Sequence, residues 1–117
     1  MILSGRDVQL YIEAKKLAIH PISADQFQQN GVDLVLRDAK RKAFQFWLGS
    51  TAETIEMPDD LMAFVELRSS WARRGYMLPP TIVDAGFRGN LTLEIISMGY
   101  DGNNLPPAPP VGEDSRT

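Results

Sequence analysis

The chain has 117 residues, with 12 Lys and Arg against 15 Asp and Glu, a formal charge of −3 and a pI near 5.0. That length fits one small domain, and that charge argues against a protein whose main task is coating nucleic acid, because such domains carry a net basic face. Cysteine is absent and His20 is the one histidine, which excludes disulfides, Fe–S clusters, thiolate zinc sites, a Cys nucleophile and any two-His metal site. No apolar run approaches the ~18 residues that span a bilayer, and MILSGRDVQL lacks the basic and apolar regions of a signal peptide. The expectation is a cytoplasmic protein without membrane or nucleic-acid partners.

Ser4 and Asp7 are spaced as a capping box, and Val8, Tyr11 and Ile12 follow at helical spacing. A short amphipathic helix is predicted, bounded by Gly5 and Pro21. Asn30-Gly31 marks a turn, after which Val32, Leu34 and Leu36 alternate as a half-buried strand. The charged run Arg37–Lys42 reads as a solvated loop. Phe44, Phe46 and Leu48 alternate in a second strand, continued by Thr54 and Ile55 up to Pro58. Asp59-Asp60 is a turn, and Leu61–Leu67 is a further strand.

Arg68–Gly75 is predicted to hold one or two helical turns, with a serine as cap and Gly75 as stop. Pro79-Pro80 forces extended backbone. Asp84-Ala85-Gly86 and Arg88-Gly89-Asn90 read as turns on either side of Phe87, and Leu91, Leu93 and Ile95 alternate in the clearest strand. Residues 1–98 form the domain; residues 99–117, rich in proline and then acidic, form a tail expected to bury little and to be mobile or extended. Many short strands, frequent turns and two small helices give a mainly β class, a barrel or sandwich.

Three groups of residues suit chemistry. Arg68, Arg73 and Arg74 surround Ser69 and Ser70 at one helix start, a composition suited to a phosphate or triphosphate, the alternative being a solvated basic turn. Glu94 alternates with the apolar row of its strand. If its face is covered, its pKa rises as a proton-shuttling group needs; on a one-sided sheet it is a solvent-facing acid. Asp84, in a turn beside Gly86, suits a sugar hydroxyl or a positioned water, or an Asx-turn. His20 takes no role, and Trp47 and Trp71 read as packing residues.

These segments resemble the dCTP deaminase/dUTPase superfamily. MILSGRDVQLYIEAKKLAIHP resembles its N-terminal helix, which opens Met-Ile-Leu-Ser-Asp-(Arg/Lys)-Asp, and Asn30–Leu34 resembles the next motif. LRSSWARRG (Leu67–Gly75) resembles the signature Arg-Ser-Ser-x-Ala-Arg-x-Gly, and TIVDAGFRGNLTLEI (Thr81–Ile95) resembles Asp-x-Gly-Phe-x-Gly-x-(Ile/Leu)-Thr-Leu-Glu. The Pro79–Gly86 form looks most like archaeal and archaeal-virus members. The resemblance implies a distorted β-barrel or β-clip domain of the dUTPase-like type, assembled as a homotrimer with active sites between subunits. It implies action on dCTP or dUTP with Mg²⁺ bound to the triphosphate.

By the same resemblance, Arg68, Ser69 and Ser70 match residues that cradle the triphosphate. Ser69 and Arg73 match residues that orient base and water, and Glu94 matches the glutamate that moves protons while water attacks C4 of cytosine. Asp84 matches an aspartate near the sugar and the catalytic water. Zinc deaminases need a His/Cys ligand set, which this composition does not supply, so a cytosine deaminase made from this chain activates water without zinc. The family's usual continuation, a strand pair and a Gly/Gln-rich segment, is not recognisable in Leu105–Thr117, and Ile82 stands where many bacterial deaminases carry arginine. The leading expectation is dCTP deaminase; the alternatives are dUTPase or a bifunctional enzyme, and a shortened, non-catalytic nucleotide-binding or scaffold trimer.

Overall fold

The computed structural model describes residues 3–98 and 106–112. In chain order the elements are α1 (Gly5–Glu13), β1 (Ala18–His20), β2 (Phe27–Gln28), β3 (Gly31–Val32), β4 (Leu36–Ala43), β5 (Phe46–Glu56), β6 (Ala63–Val65), α2 (Ser69–Arg73), β7 (Tyr76–Met77), β8 (Thr81–Val83) and β9 (Arg88–Ser97), with a single 3₁₀ turn at Ala24–Gln26. The class is mainly β with one N-terminal helix and one short helix, as expected. Among the described residues the strands do not close on themselves: an open sheet ordered β1-β5-β9-β7, with β4 also on β5, is flanked by the ribbons β2-β3 and β6-β8.

Helix α1 begins as its sequence dictates. Ser4 Oγ accepts from the Asp7 N–H at 3.1 Å and the Asp7 carboxylate accepts from the Ser4 N–H at 3.2 Å, satisfying two of the donors a helix start leaves open. Val8, Tyr11 and Ile12 pack on the core. Gly5 lies against the Gln28 backbone so closely that a Cβ would collide with the carbonyl. The helix start is thereby pinned to β2.

Strand β5 organises the rest. Its 11 residues are long enough for one edge to take two partners in tandem: β4 pairs with Phe46–Thr51 and β1 with Thr54–Glu56. The other edge pairs with β9. Leu91, Leu93 and Ile95 of β9 face inward with Ile55, Leu36, Trp71 and Tyr76 to make the core.

Phe44, expected in a strand, lies in the turn between β4 and β5, and four larger expectations need correction here. The strand expected through Val32, Leu34 and Leu36 is broken at Asp33-Leu34, where the Asp33 N–H and carbonyl bond to Gln26. Arg37–Lys42 is strand, not loop: β4 is an edge strand whose side chains are exposed except for Leu36 and half-buried Ala39, so the apolar–polar alternation that marks a half-buried strand never arises. Arg88-Gly89-Asn90 opens β9 opposite Glu56, Ile55 and Thr54. The turn-like composition serves a break in register between Ser50 and Thr54: Gly89 has φ +133°, and the Asn90 amide donates to the Thr51 and Glu53 carbonyls at 3.0 and 3.1 Å.

The fourth concerns the proline-rich segment, expected to bury little. Pro106 and Pro109 are buried. Proline carbonyls have no partners within their own segment, and here side chains from three strands supply donors. Tyr76 Oη donates to the Ala108 carbonyl at 2.8 Å, Ser97 Oγ to that of Pro107 at 2.7 Å, and Arg41 Nη2 to that of Pro106 at 3.3 Å. The Gly112 N–H donates to the Leu36 carbonyl at 2.9 Å. The remainder of the expected tail, 99–105 and 113–117, lies outside the described residues.

Tyr76 therefore ties core to strap, and burial pushes its phenol above the usual 10.0 while the neighbouring Arg74 guanidinium pulls it down. The neutral phenol is the form the fold favours. Its contribution is full below the unfolded phenol's pKa and is lost as pH rises through the raised folded value. Tyr76→Phe is expected to cost about 0.5–1.5 kcal/mol at neutral pH through the lost hydrogen bond. Chemical denaturation at pH 8 and above pH 10 checks this: the parent should lose stability over that interval by more than the variant does.

Candidate functional site

Helix α2 is five residues long, and its N-cap is Arg68, with no side-chain capping bond. A serine cap was expected; Ser69 is instead the first helical residue. A helix this short has little macrodipole, so anion binding there rests on side chains. The helix is fixed by Trp71, 3% exposed, whose ring meets Tyr76 edge-on with centroids 5.4 Å apart. With Trp71 turned inward, Arg68, Ser69, Ser70, Arg73 and Arg74 all lie on the exposed side. Arg74 stacks over the Tyr76 ring at 5.6 Å, while Arg68 faces the Asp33 carboxylate, Nη1 to Oδ2 3.5 Å. The structure thus brings together four of the expected residues: Arg68, Ser69, Ser70 and Arg73.

Glu94 stands on β9 opposite Leu48, which is opposite Lys40 on β4. Cross-strand partners share a face, so Lys40, Leu48 and Glu94 form one row. The next row on that face is Phe46, Ile96 and Met77. In the single chain Glu94 is exposed, the one-sided alternative, but its face is unusual for solvent: Phe46, Leu48 and Ile96 are half-buried and Met77 is 52% exposed. Asp84 follows β8 in a turn closed by backbone, with the Phe87 N–H donating to the Asp84 carbonyl at 3.1 Å and Gly86 at φ +79°. Its carboxylate is exposed and takes no part in closing that turn.

These groups do not converge within one chain. The α2 helix packs on β7, which pairs with β9 at Ile96 and Ser97. The Asp84 turn abuts the opposite end, where Arg88 pairs with Glu56 and the Met57 N–H donates to the Phe87 carbonyl. A groove of about 450 Å³ between β6, β7 and β8 is lined by Phe64, Leu67, Tyr76, Met77, Pro79 and Ile82 among others; it holds none of the expected site residues.

Sequence reasoning passed over an interior polar group beside Arg68. Glu53 is 1% exposed, and its carboxylate accepts from the Val35 N–H at 3.0 and 3.1 Å and from Gln26 Nε2 at 3.0 Å. Gln26 clamps the Asp33 backbone from both sides: the Asp33 N–H donates to its carbonyl at 2.7 Å, and its Nε2 donates to the Asp33 carbonyl at 2.8 Å. The signal available in sequence was a charged residue in the inward row of a strand, Glu53 between Thr51 and Ile55.

The chain is similar in sequence and fold to known proteins. Residues 42–101 match the family described as dCTP deaminase-like. The chain is 41% identical over 122 residues to a probable deoxyuridine 5'-triphosphate nucleotidohydrolase of Sulfolobus islandicus rod-shaped virus 1, covering 91% of this chain and 74% of that one. It is 36% identical over 130 residues to a dCTP deaminase of Staphylothermus marinus, covering 82% and 74%, and 35% identical over 129 residues to one of Metallosphaera sedula, covering 86% and 75%. The fold is similar to a crystallised 2'-deoxycytidine 5'-triphosphate deaminase from Agrobacterium tumefaciens, with a TM-score of 0.63 and 19% identity. That match covers 81% of this chain and spans less than half, 41%, of the crystallised one.

Proposed function

The chain belongs to the dCTP deaminase-like family, and from that premise we propose that it hydrolyses deoxypyrimidine nucleoside triphosphates, converting dCTP and water to dUTP and ammonia. The observation that carries the reading is the α2 surface, where Arg68, Ser69, Ser70 and Arg73 are held outward on a helix anchored by Trp71. Guanidinium forks and hydroxyls on a rigid element suit the oxygens of a triphosphate. Arg68, Ser69 and Ser70 bind the triphosphate, and Ser69 and Arg73 orient base and water.

In the chemistry we assign, Glu94 takes a proton from water as the hydroxide adds to C4 of cytosine. Glu94 passes that proton to N3 of the ring, then takes the proton of the new C4 hydroxyl and delivers it to the exocyclic amino group. The C4–N bond breaks, ammonia departs, and C4 keeps the oxygen as the carbonyl of uracil. Hydrogen bonds from Ser69 and Arg73 hold the tetrahedral centre. The composition, one His and no Cys, supports water activation by carboxylate rather than by zinc. Among the described residues no three His, Asp or Glu side chains gather as a resident cation requires, so magnesium enters this reading as part of the substrate, bound to triphosphate oxygens.

A second reading has its own support. Ile82, 51% exposed, stands where arginine is expected in bacterial deaminases, and one 41%-identical relative is named for dUTP hydrolysis. Asp84 then serves the water that attacks the triphosphate, giving dUMP and pyrophosphate. Incubation with dCTP or dUTP and Mg²⁺, with ammonia and pyrophosphate assayed, separates the two; a chain releasing neither is a binding or scaffold protein. Among the described residues no helix is long and apolar enough to cross a membrane, and we place the protein with its substrates in the cytoplasm.

Glu94→Gln keeps size and hydrogen bonding but removes the basic oxygen. Ammonia release should fall by about 10²–10⁴-fold, with nucleotide binding within a few-fold of the parent; deamination near the parental rate overturns the assignment. Asp84→Asn should damage pyrophosphate release from dUTP more than ammonia release from dCTP.

Assembly completes the site in this reading. Asp84 and α2 lie at opposite ends of β9, and the face bearing Glu94 also carries the Phe46–Ile96–Met77 row. We propose a homotrimer in which another subunit covers that face. Light scattering at micromolar concentration should give three times the mass of 13.1 kDa; a monomer contradicts it.

A further inference from the structure

We propose that Asp33 is a positioning residue for Arg68, holding its guanidinium at the mouth of α2 without consuming its donors. The inference rests on the reading of Arg68 as a triphosphate ligand. The Asp33 side chain is 10% exposed and that of Arg68 50% exposed, so the pair has one buried and one open member. Asp33 Oδ2 is buried and accepts no hydrogen bond. Leaving a buried carboxylate oxygen in that state is costly unless a charge faces it, and the charge that faces it is Arg68 Nη1 at 3.5 Å.

That distance matters. It is within ion-pair range yet longer than the 2.7–2.9 Å of a charge-assisted hydrogen bond. The guanidinium is drawn into one orientation while its N–H groups stay available to an incoming anion.

The carboxylate is itself held rigidly. Gln26 fixes the Asp33 backbone by hydrogen bonds at 2.7 and 2.8 Å, and buried Glu53 fixes the Gln26 amide at 3.0 Å and the Val35 N–H at 3.0 and 3.1 Å. The chain of contacts runs from β5 through Gln26 and Asp33 to Arg68. Glu53, Gln26 and Asp33 are all buried, so in this proposal they act on a ligand through the exposed arginine.

Two effects of Asp33 oppose each other, and their signs differ in experiment. As an anchor it lowers the cost of immobilising Arg68 on binding; as an anion it weakens the pull of Arg68 on phosphate. Immobilising one long side chain corresponds to roughly two- to twelvefold in affinity. At 3.5 Å from a half-exposed partner, the anchoring effect is the one we assign as dominant.

The test is calorimetric binding of the α,β-imido analogue of dUTP, with Mg²⁺, and of deoxyuridine alone, to the parent, Asp33→Asn, Arg68→Ala and the double variant, each checked for folding by thermal melting. Arg68→Ala should weaken the triphosphate analogue by roughly 10- to 150-fold, as for loss of a charge-assisted contact. Asp33→Asn should weaken it by about three- to tenfold, leave deoxyuridine unchanged, and add nothing in the Arg68→Ala background. A purely structural role moves both ligands together and persists in the double variant, which overturns the proposal. Tighter or unchanged triphosphate binding by Asp33→Asn, with Arg68→Ala still weak, overturns the positioning role and leaves the phosphate reading standing. Parental affinity in Arg68→Ala overturns both. Asp33→Glu keeps the charge but moves it by one methylene; it should show the same selective loss for the triphosphate, and supplies the measurement should the asparagine variant not fold.

Discussion

The Glu53 carboxylate is the interior group on which the arrangement around α2 depends. The period-two pattern of β5 sets Thr51, Glu53 and Ile55 in one inward row, at 0%, 1% and 5% exposure. A carboxylate in that row needs donors, and the neighbouring ladder is interrupted there between Ser50 and Thr54. Val35 and Gln26 supply them. Satisfying one buried charge thus fixes the 3₁₀ turn, breaks the expected strand at Asp33-Leu34 and sets the backbone from which Asp33 faces Arg68. On the other side of the same break, Thr51 Oγ1 accepts from the Leu91 N–H at 3.0 Å and donates to the Glu53 carbonyl at 3.0 Å. The start of β9 is aligned by that interaction, and with it the outward row that carries Glu94.

What was legible in the sequence was what local chemistry decides. The Ser4/Asp7 capping box, the alternation of Leu91, Leu93 and Ile95 and the brief helix before Gly75 each depend on residues a few positions apart. What was illegible depends on distant partners. Strand β4 carries its charges on two open faces, so its pairing with β5 leaves no periodic trace. Arg88-Gly89-Asn90 has turn composition because the register break needs a left-handed glycine and a side-chain amide. The proline strap is ordered by donors on Arg41, Tyr76 and Ser97, up to 65 positions away.

The candidate site divides along the same line. Arg68, Ser69, Ser70 and Arg73 were recognisable as a unit because they are contiguous, and the fold keeps them so. Glu94 was recognisable by its place on a strand, yet whether its face is covered is a property of neighbours that one chain does not contain. Asp33, Gln26 and Glu53 were missed because a charged or amide side chain in sequence reads as surface until a partner is known.

Charge segregation explains how an acidic chain carries a locally basic surface. The net charge is −3, but acids and bases are not mixed evenly. Arg68, Arg73 and Arg74 stand together on the open side of α2, and Arg37, Lys40, Arg41 and Lys42 lie on the edge strand β4, where Asp38 pairs with Arg37 and offsets one of the four. Meanwhile Glu53 and Asp33 are withdrawn into the interior, where hydrogen bonds and a single guanidinium satisfy them. Field strength at a ligand depends on nearby charges more than on the sum over the molecule, because salt screens beyond roughly 8–10 Å. Burying two carboxylates therefore does more than stabilise a loop. It removes negative charge from the surface that carries α2 while leaving one carboxylate 3.5 Å from the Arg68 guanidinium.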